Sequence, residues 1–327
     1  MGMHKISNQQ DLTAVTEKYT AKTTDYIDGL LEHPAMSRQY LPDMRELDIS
    51  ADENADPIGD VAHSPVKGIV HRYPDRVLLK PHHACAVYCR FCFRRDMVGR
   101  NGEVLSEDDL SKALDYIRDH KEIWEVILTG GDPFALSDRR LKHLFEALNE
   151  IEHVKMIRIH TRVPVADPKR ITAELCKVIN DSQKPVTISI HCNHANELAE
   201  AAQKAIKMLH QSGAVLVSQT VLLKGVNDDI DTLEKLFREL MINRVKPYYL
   251  HHPDKARGTA HFRLPLARGL EIYGQLRGRM SGICIPHYML DIPGGFGKVT
   301  LDSAKVLIKE DHVEIIDHRG VVHIYKN

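Results

Sequence analysis

The stretch Cys85-Ala-Val-Tyr-Cys89-Arg-Phe-Cys92-Phe-Arg94-Arg95 sets three cysteines at intervals of four and then three residues. Thiolates spaced this way can converge within one compact loop. A four-iron four-sulfur (4Fe–4S) cluster is ordinarily held by four cysteines. Three leave one iron open to a substrate or a second cofactor. Two plainer uses compete. Structural zinc wants four ligands, normally as two separated pairs; only His82 or His83 lies near enough to serve as a local fourth, and no second Cys/His pair follows. A disulfide would leave an odd thiol and needs an oxidising compartment. The spacing favours the three-cysteine cluster.

Two further stretches could do chemistry. Gly130-Gly131-Asp132-Pro133 follows an apolar run, and glycines there let a backbone approach a ligand without Cβ interference. Alone, it is also an ordinary turn. Tyr288-Met-Leu-Asp291-Ile-Pro-Gly294-Gly295-Phe-Gly297-Lys298 reads as a glycine-rich loop ending in lysine. A phosphate loop needs Gly-x-x-x-x-Gly-Lys-Ser/Thr; here Ile292 stands where the first glycine belongs and Val299 follows the lysine, so that reading fails. A lysine on a flexible glycine loop suits a Schiff base to pyridoxal 5′-phosphate (PLP). Without its neighbours it would pass for a surface lysine.

These groups need a scaffold. A chain of 327 residues holds one large α/β domain with additions, or two smaller ones. The balance of 44 Lys+Arg against 45 Asp+Glu offers no surface for a polyanion, so nucleic acid is not expected. Six cysteines, three of them scattered, make no disulfide framework and point to a reducing compartment. The first ten residues carry no apolar leader, the Gly2/Ser7 spacing does not fit myristoylation, and no run is long enough for a membrane helix. A cytoplasmic protein is expected.

Residues 1–65 read as a helical preface, with Pro34 and Pro42 as breakers and Ala51–Pro65 as a polar linker. From Arg76 onward, β-branched runs alternate with helical stretches. Strands are predicted at 76–80, 125–129, 156–161, 186–191, 215–223 and 246–251. Helices are predicted at 107–119, 138–150, 169–180, 195–211, 231–242 and 266–279. Such alternation predicts parallel βαβ units; six units fit a partial barrel as well as an open doubly wound sheet. Each strand ends in polar chemistry: the cysteine loop, Gly130-Gly131-Asp132, His160-Thr-Arg162, His191-Cys-Asn-His194, Gln219 and His251-His252. One such histidine is usually structural. Six polar ends in series would surround one pocket, as in α/β barrels. After about 281 the alternation stops, and 304–309, 313–316 and 321–325 read as strands of a small cap.

Taken together, these segments resemble the radical S-adenosylmethionine (SAM) enzymes, and among them the lysine 2,3-aminomutases, which also use PLP. The resemblance covers roughly residues 65–300. It is carried by His71-Arg-Tyr-Pro-Asp-Arg76, the cysteine loop with Arg94-Arg95, Thr129-Gly-Gly-Asp132, Gln219-Thr-Val-Leu-Leu-Lys-Gly-Val-Asn-Asp228, His261-Phe-Arg263, Leu276-Arg-Gly278 and Asp291-Ile-Pro-Gly-Gly-Phe-Gly-Lys298. It implies a partial (β/α)6 radical SAM barrel over residues 66–283, a helical extension and linker over 1–65, and the PLP-lysine loop with a C-terminal β hairpin over 284–327. Cys85, Cys89 and Cys92 would hold the cluster, and Gly130, Gly131, Asp132 and His191 would face SAM. Lys298 would carry PLP, with Arg72, Arg76 and Gln219 at its phosphate; guanidinium groups are good phosphate forks.

For substrate, the resemblance puts Arg94 on the carboxylate of L-lysine and Asp254 with Asp291 on its ε-ammonium. Two acids can balance a buried cation. The glutamate-using branch resembles this family but lacks that pair. The implied reaction generates a 5′-deoxyadenosyl radical and moves nitrogen from C2 to C3, with flavodoxin or ferredoxin as the reductant. Longer members hold zinc through a C-terminal cysteine group. This chain has no cysteine after Cys284, so it resembles the shorter bacterial branch, some of whose members make β-lysine for elongation factor P; homo-oligomer formation is left open. Phe296 and His251 point the same way, standing where long members often have glycine and tyrosine. The competing readings are the same machinery acting on another amino acid, and a non-catalytic iron–sulfur or zinc protein.

Overall fold

The computed structural model describes residues 9–99, 104–276, 278–301, 306–316 and 320–326. The N-terminal Met1–Asn8, Arg277, and the His318-Arg319 pair of the cap lie outside them. Twelve strands occur among the described residues: β1 (Ile69–Tyr73), β2 (Arg76–His82), β3 (Glu125–Gly130), β4 (Met156–Thr161), β5 (Val186–His191), β6 (Val215–Val221), β7 (Lys246–His251), β8 (His287–Ile292), β9 (Gly297–Thr300), β10 (Val306–Ile308), β11 (Val313–Ile316) and β12 (Val322–Tyr325).

The first nine strands form one sheet in strict chain order. From β2 to β8 every neighbour is parallel; β1 and β9 are antiparallel margins. A doubly wound sheet reverses its strand order at a switch point. This one never does, and it curls into a nearly closed barrel. The outer helices are amphipathic. Glu107–Asp119, capped by Ser106, buries Leu110, Ala113, Leu114 and Ile117. Ile230–Ile242, capped by Asp229, buries Leu233, Leu236, Phe237 and Leu240. That three-and-four spacing faces one stripe to the sheet, and because β2 to β8 run parallel their polar carboxyl ends open at one mouth.

The ladder runs one parallel strand beyond the six expected, because β8 pairs with β7. The glycine-rich stretch is therefore a hairpin, not a loop. β8 and β9 flank the turn, and Asp291 lies directly across from Lys298. Pro34 likewise opens a helix (Pro34–Tyr40) at its first turn, where a missing N–H costs nothing. Residues 51–65 are not a free linker. They form a strap along the seam between the barrel's two margins, bridging Asn54 to Ala256 and burying Asp60. Side chains close that seam: Lys298 N donates to Tyr73 Oη at 2.8 Å, and Arg72 Nη1 to Asp291 Oδ1 at 3.2 Å. β10, β11 and β12 form a separate antiparallel sheet.

Candidate active site

The barrel mouth opens on a cavity of about 470 Å³ lined by all three motif cysteines, the Gly130–Asp132 turn and Lys298. The cysteine loop leaves β2 and is tied to the N-terminal helices. Tyr88 N donates to Lys22 O at 3.0 Å and Arg90 N to Gln39 O at 2.8 Å. Buried Glu46 accepts from Arg90 Nε at 2.9 Å, and also from Arg95. None of the three cysteines is in a disulfide. Burial pushes all three thiols up, Cys89 to about 11. A bound metal's charge is what turns such thiols into thiolates. Among the described residues no three His, Cys, Asp or Glu side chains meet at a point that a single ion could fill. A cluster takes its thiolates on separate irons and asks for thiols held apart.

Gly131 sits where a Cβ would lie 2.1 Å from Ala84 O, so the β3 end and the cysteine loop touch backbone to backbone. Asp132 is committed to the protein. Its carboxylate accepts from Thr161 Oγ1 at 2.7 Å, Arg162 N at 2.6 Å, Phe134 N at 3.0 Å and Val163 N at 3.2 Å. It thereby clips the ends of β3 and β4 together. His191 stands beside His160, ring centres 5.6 Å apart, with its Nε2 buried and without a partner. Burial drives His191 and His251 to about 3 and His160 well below its ordinary value, so all three are neutral. Gln219 links two of them, lying 3.3 Å from His160 Nε2 and 3.1 Å from His251 Nε2.

Opposite lies a chain of alternating charge. Arg94 donates to Asp60 through Nε at 3.0 Å and Nη2 at 2.8 Å. Arg72 reaches Asp60 at 3.5 Å and Asp291 at 3.2 Å, while its Nε is buried without a partner. Lys298 Nζ donates to Asp291 Oδ2. Burial works against the Lys298 charge, but Asp291 and then Asp254 outweigh it and hold the amine above its ordinary value. Burial and the neighbouring Asp291 push Asp254 up to about 7. Arg76 stacks on Tyr73 with its guanidinium 3.9 Å from the ring centre, bonded to Asp75 at 2.6 Å.

All fourteen residues singled out from the sequence line this one cavity. Sequence reasoning passed over Asp60, Tyr73 and His160. Tyr73 lay inside a matched segment and His160 at a strand end, so both carried a signal. Asp60 carried none, because it sits among turn residues and its partner lies 34 positions away.

Residues 79–237 match the radical SAM superfamily model. The L-lysine 2,3-aminomutase of Fusobacterium nucleatum is 38% identical over 289 residues, 88% of this chain and 68% of that one. The glutamate 2,3-aminomutase of Clostridioides difficile is 39% identical over 249 residues, 76% of this chain and 59% of that one. A solved radical SAM methyltransferase from Sphaerobacter thermophilus covers 68% of each chain with a TM-score of 0.51 at 20% identity, a likeness of fold alone.

Proposed function

The chain belongs to the radical SAM superfamily and, within it, to the lysine 2,3-aminomutase family; from that premise we propose that it moves the 2-amino group of L-lysine to C3, giving β-lysine. The observation that carries the substrate is the acidic pair Asp254 and Asp291 in the cavity wall, with Asp254 pushed up to about 7. A crowded acid pair is relieved by a cation. Overall identity to lysine-using and glutamate-using relatives is nearly the same, so the choice rests on this pair.

The residues present fit the three cofactors. Cys85, Cys89 and Cys92 would hold the 4Fe–4S cluster, with SAM between it, the Gly130–Gly131 backbone and the free Nε2 of His191. PLP would be held by Lys298, with its phosphate at Arg72, whose buried Nε lacks a partner, and at Arg76 and Gln219. When bound, the cluster and SAM supply a carbon radical that takes hydrogen from the substrate, and PLP supplies a conjugated carrier across which nitrogen passes between carbons.

The protein's own groups do the rest. Lys298 Nζ keeps its proton in the ion pair with Asp291. With PLP held at Lys298, Asp291 would join Asp254 around the ε-ammonium of lysine, with Arg72 still at its other oxygen. Arg94, held by Asp60 in the same cavity, meets the carboxylate. Neutral His160, His191 and His251 add polar contacts without charge. The encircling strand ends exclude water, which a radical reaction requires. A one-electron donor is required, for which flavodoxin or ferredoxin is proposed.

The test is an anaerobic assay of reconstituted protein with SAM, PLP, a reductant and isotopically labelled L-lysine. Labelled β-lysine is expected, and is lost in Cys89→Ala and Lys298→Ala. SAM cleaved to 5′-deoxyadenosine with no β-lysine would keep the machinery and reject lysine as substrate.

A further inference from the structure

Asp60 is 1% exposed although it lies on a surface strap. One carboxylate oxygen takes both the Nε and Nη2 donors of Arg94, at 3.0 and 2.8 Å. The other stands 3.5 Å from Arg72 Nη2. Each arginine is anchored further, Arg72 also through Nη1 to Asp291 Oδ1 at 3.2 Å. Arg94 Nη1 donates to Thr129 Oγ1 at 3.3 Å, and Arg72 Nη2 donates to Ile58 O, two residues before Asp60 on the same strap. The strap is itself pinned to the lysine-bearing hairpin. Gly59, at φ +70°, packs so closely that a Cβ there would lie 2.7 Å from Gly295 Cα, and His63 Nε2 is 3.2 Å from Gly295 O. Burial opposes the Asp60 charge, and Arg94, Lys80 and Arg72 outweigh it to hold the carboxyl below its ordinary value.

Arg94 and Asp254 share one small cavity, and they must not collapse on each other. A guanidinium presents two bidentate edges. Asp60 occupies the side edge of Arg94 and Thr129 takes one hydrogen of Nη1, so the second hydrogens of Nη1 and Nη2 are what is left to face an incoming anion. Released, Arg94 would turn toward Asp254, whose carboxyl already feels its charge. The carboxylate end and the ammonium end of the site would then neutralise each other.

We infer that Asp60 is a positioning residue that fixes the guanidinium groups of Arg94 and Arg72 relative to one another, so that one seam-spanning carboxylate aligns the substrate-carboxylate site with the cofactor-phosphate site. This rests on the roles proposed above for those two arginines. Asp60 touches neither ligand in this arrangement. It keeps Arg94 turned away from Asp254, and so sets which way round lysine enters.

The experiment compares native protein, Asp60→Asn, Asp60→Glu and Asp254→Asn, each reconstituted with its cluster. Affinity for PLP is read from absorbance titration without turnover, and KM and kcat for lysine are read from the isotopic assay. Loss of a buried charge-assisted pair predicts that Asp60→Asn weakens both PLP affinity and lysine KM by about 10- to 100-fold, with iron content unchanged. Asp254→Asn, by contrast, moves only lysine KM. Asp60→Glu restores the charge one methylene out of place and falls between native and Asn. A folded, iron-loaded Asp60→Asn protein with native PLP affinity and native lysine KM overturns the inference. Should that variant not fold, an unchanged lysine KM in Asp60→Glu overturns it instead. The PLP titration needs no β-lysine, so a wrong substrate would show as an inactive native enzyme while the phosphate arm still reads the role of Asp60.

Discussion

Replacing Asp254 with Asn should make the protein more stable and a worse lysine enzyme at once. Burial and the adjacent Asp291 raise the Asp254 carboxyl to about 7, against an ordinary value near 4. A raised acid costs stability as pH climbs through that window, in full above it. The linkage ceiling is about 4 kcal/mol. Asp254 keeps some exposure to the cavity, so screening leaves about 1–2 kcal/mol, or a rise of about 1.5–3 °C in Tm at pH 8 without lysine. Asn fills the same space without the charge. On the functional side, the ε-ammonium would lose one of two carboxylates. A hydrogen bond to a charged group contributes about 1.5–3 kcal/mol, which predicts a rise of about 10- to 150-fold in lysine KM. The assays are thermal unfolding at pH 8 and pH 5, where the gain should shrink, and steady-state β-lysine formation. A variant with lower Tm and native lysine KM would refute the placement of Asp254 as an uncompensated acid awaiting a cation.

Because a proton on Asp254 competes with the substrate's ammonium, native kcat/KM for lysine should fall about tenfold per pH unit below about pH 7; the Asp254→Asn profile should be flat across that limb. Gly131→Ala places a Cβ 2.1 Å from Ala84 O, and overpacking of about 1–3 kcal/mol should lower Tm and reduce the iron bound after reconstitution, with PLP affinity native. Tyr73→Phe removes the acceptor of the Lys298 N–H. It should cost about 1–3 kcal/mol and slow PLP attachment, read as a slower absorbance change on mixing.

How much of this was legible in the chain depended on the range of the interaction. Strands 156–161, 186–191 and 246–251 match their structural bounds to the residue, as does helix 107–119, because period and capping are local. The cysteine loop, the Gly-Gly-Asp turn and Lys298 were legible because their chemistry demands residue types at short spacing. β8 and β9 were hidden by Gly294, Gly295 and Gly297. These read as a loop until the Asp291–Lys298 register shows that they only turn a hairpin. Asp132 shows what the sequence hides about a cavity residue: four donors, from Thr161, Arg162, Phe134 and Val163, fix its carboxylate between the ends of β3 and β4.

The seam explains why the least legible residue stands where it does. Six strand ends from a continuous ladder can position the cluster and the histidines, since hydrogen bonds fix each strand to its neighbours. Lysine 298 and Arg72 stand on the two margins, where no ladder joins them. Their relative placement must come from side chains, and the chain of charges Arg94–Asp60–Arg72–Asp291–Lys298 supplies it. Buried ion pairs are weak devices for stability but strong ones for geometry, because breaking one partner strands the other. A strap that carries Asp60 into that chain therefore does for the seam what backbone pairing does elsewhere.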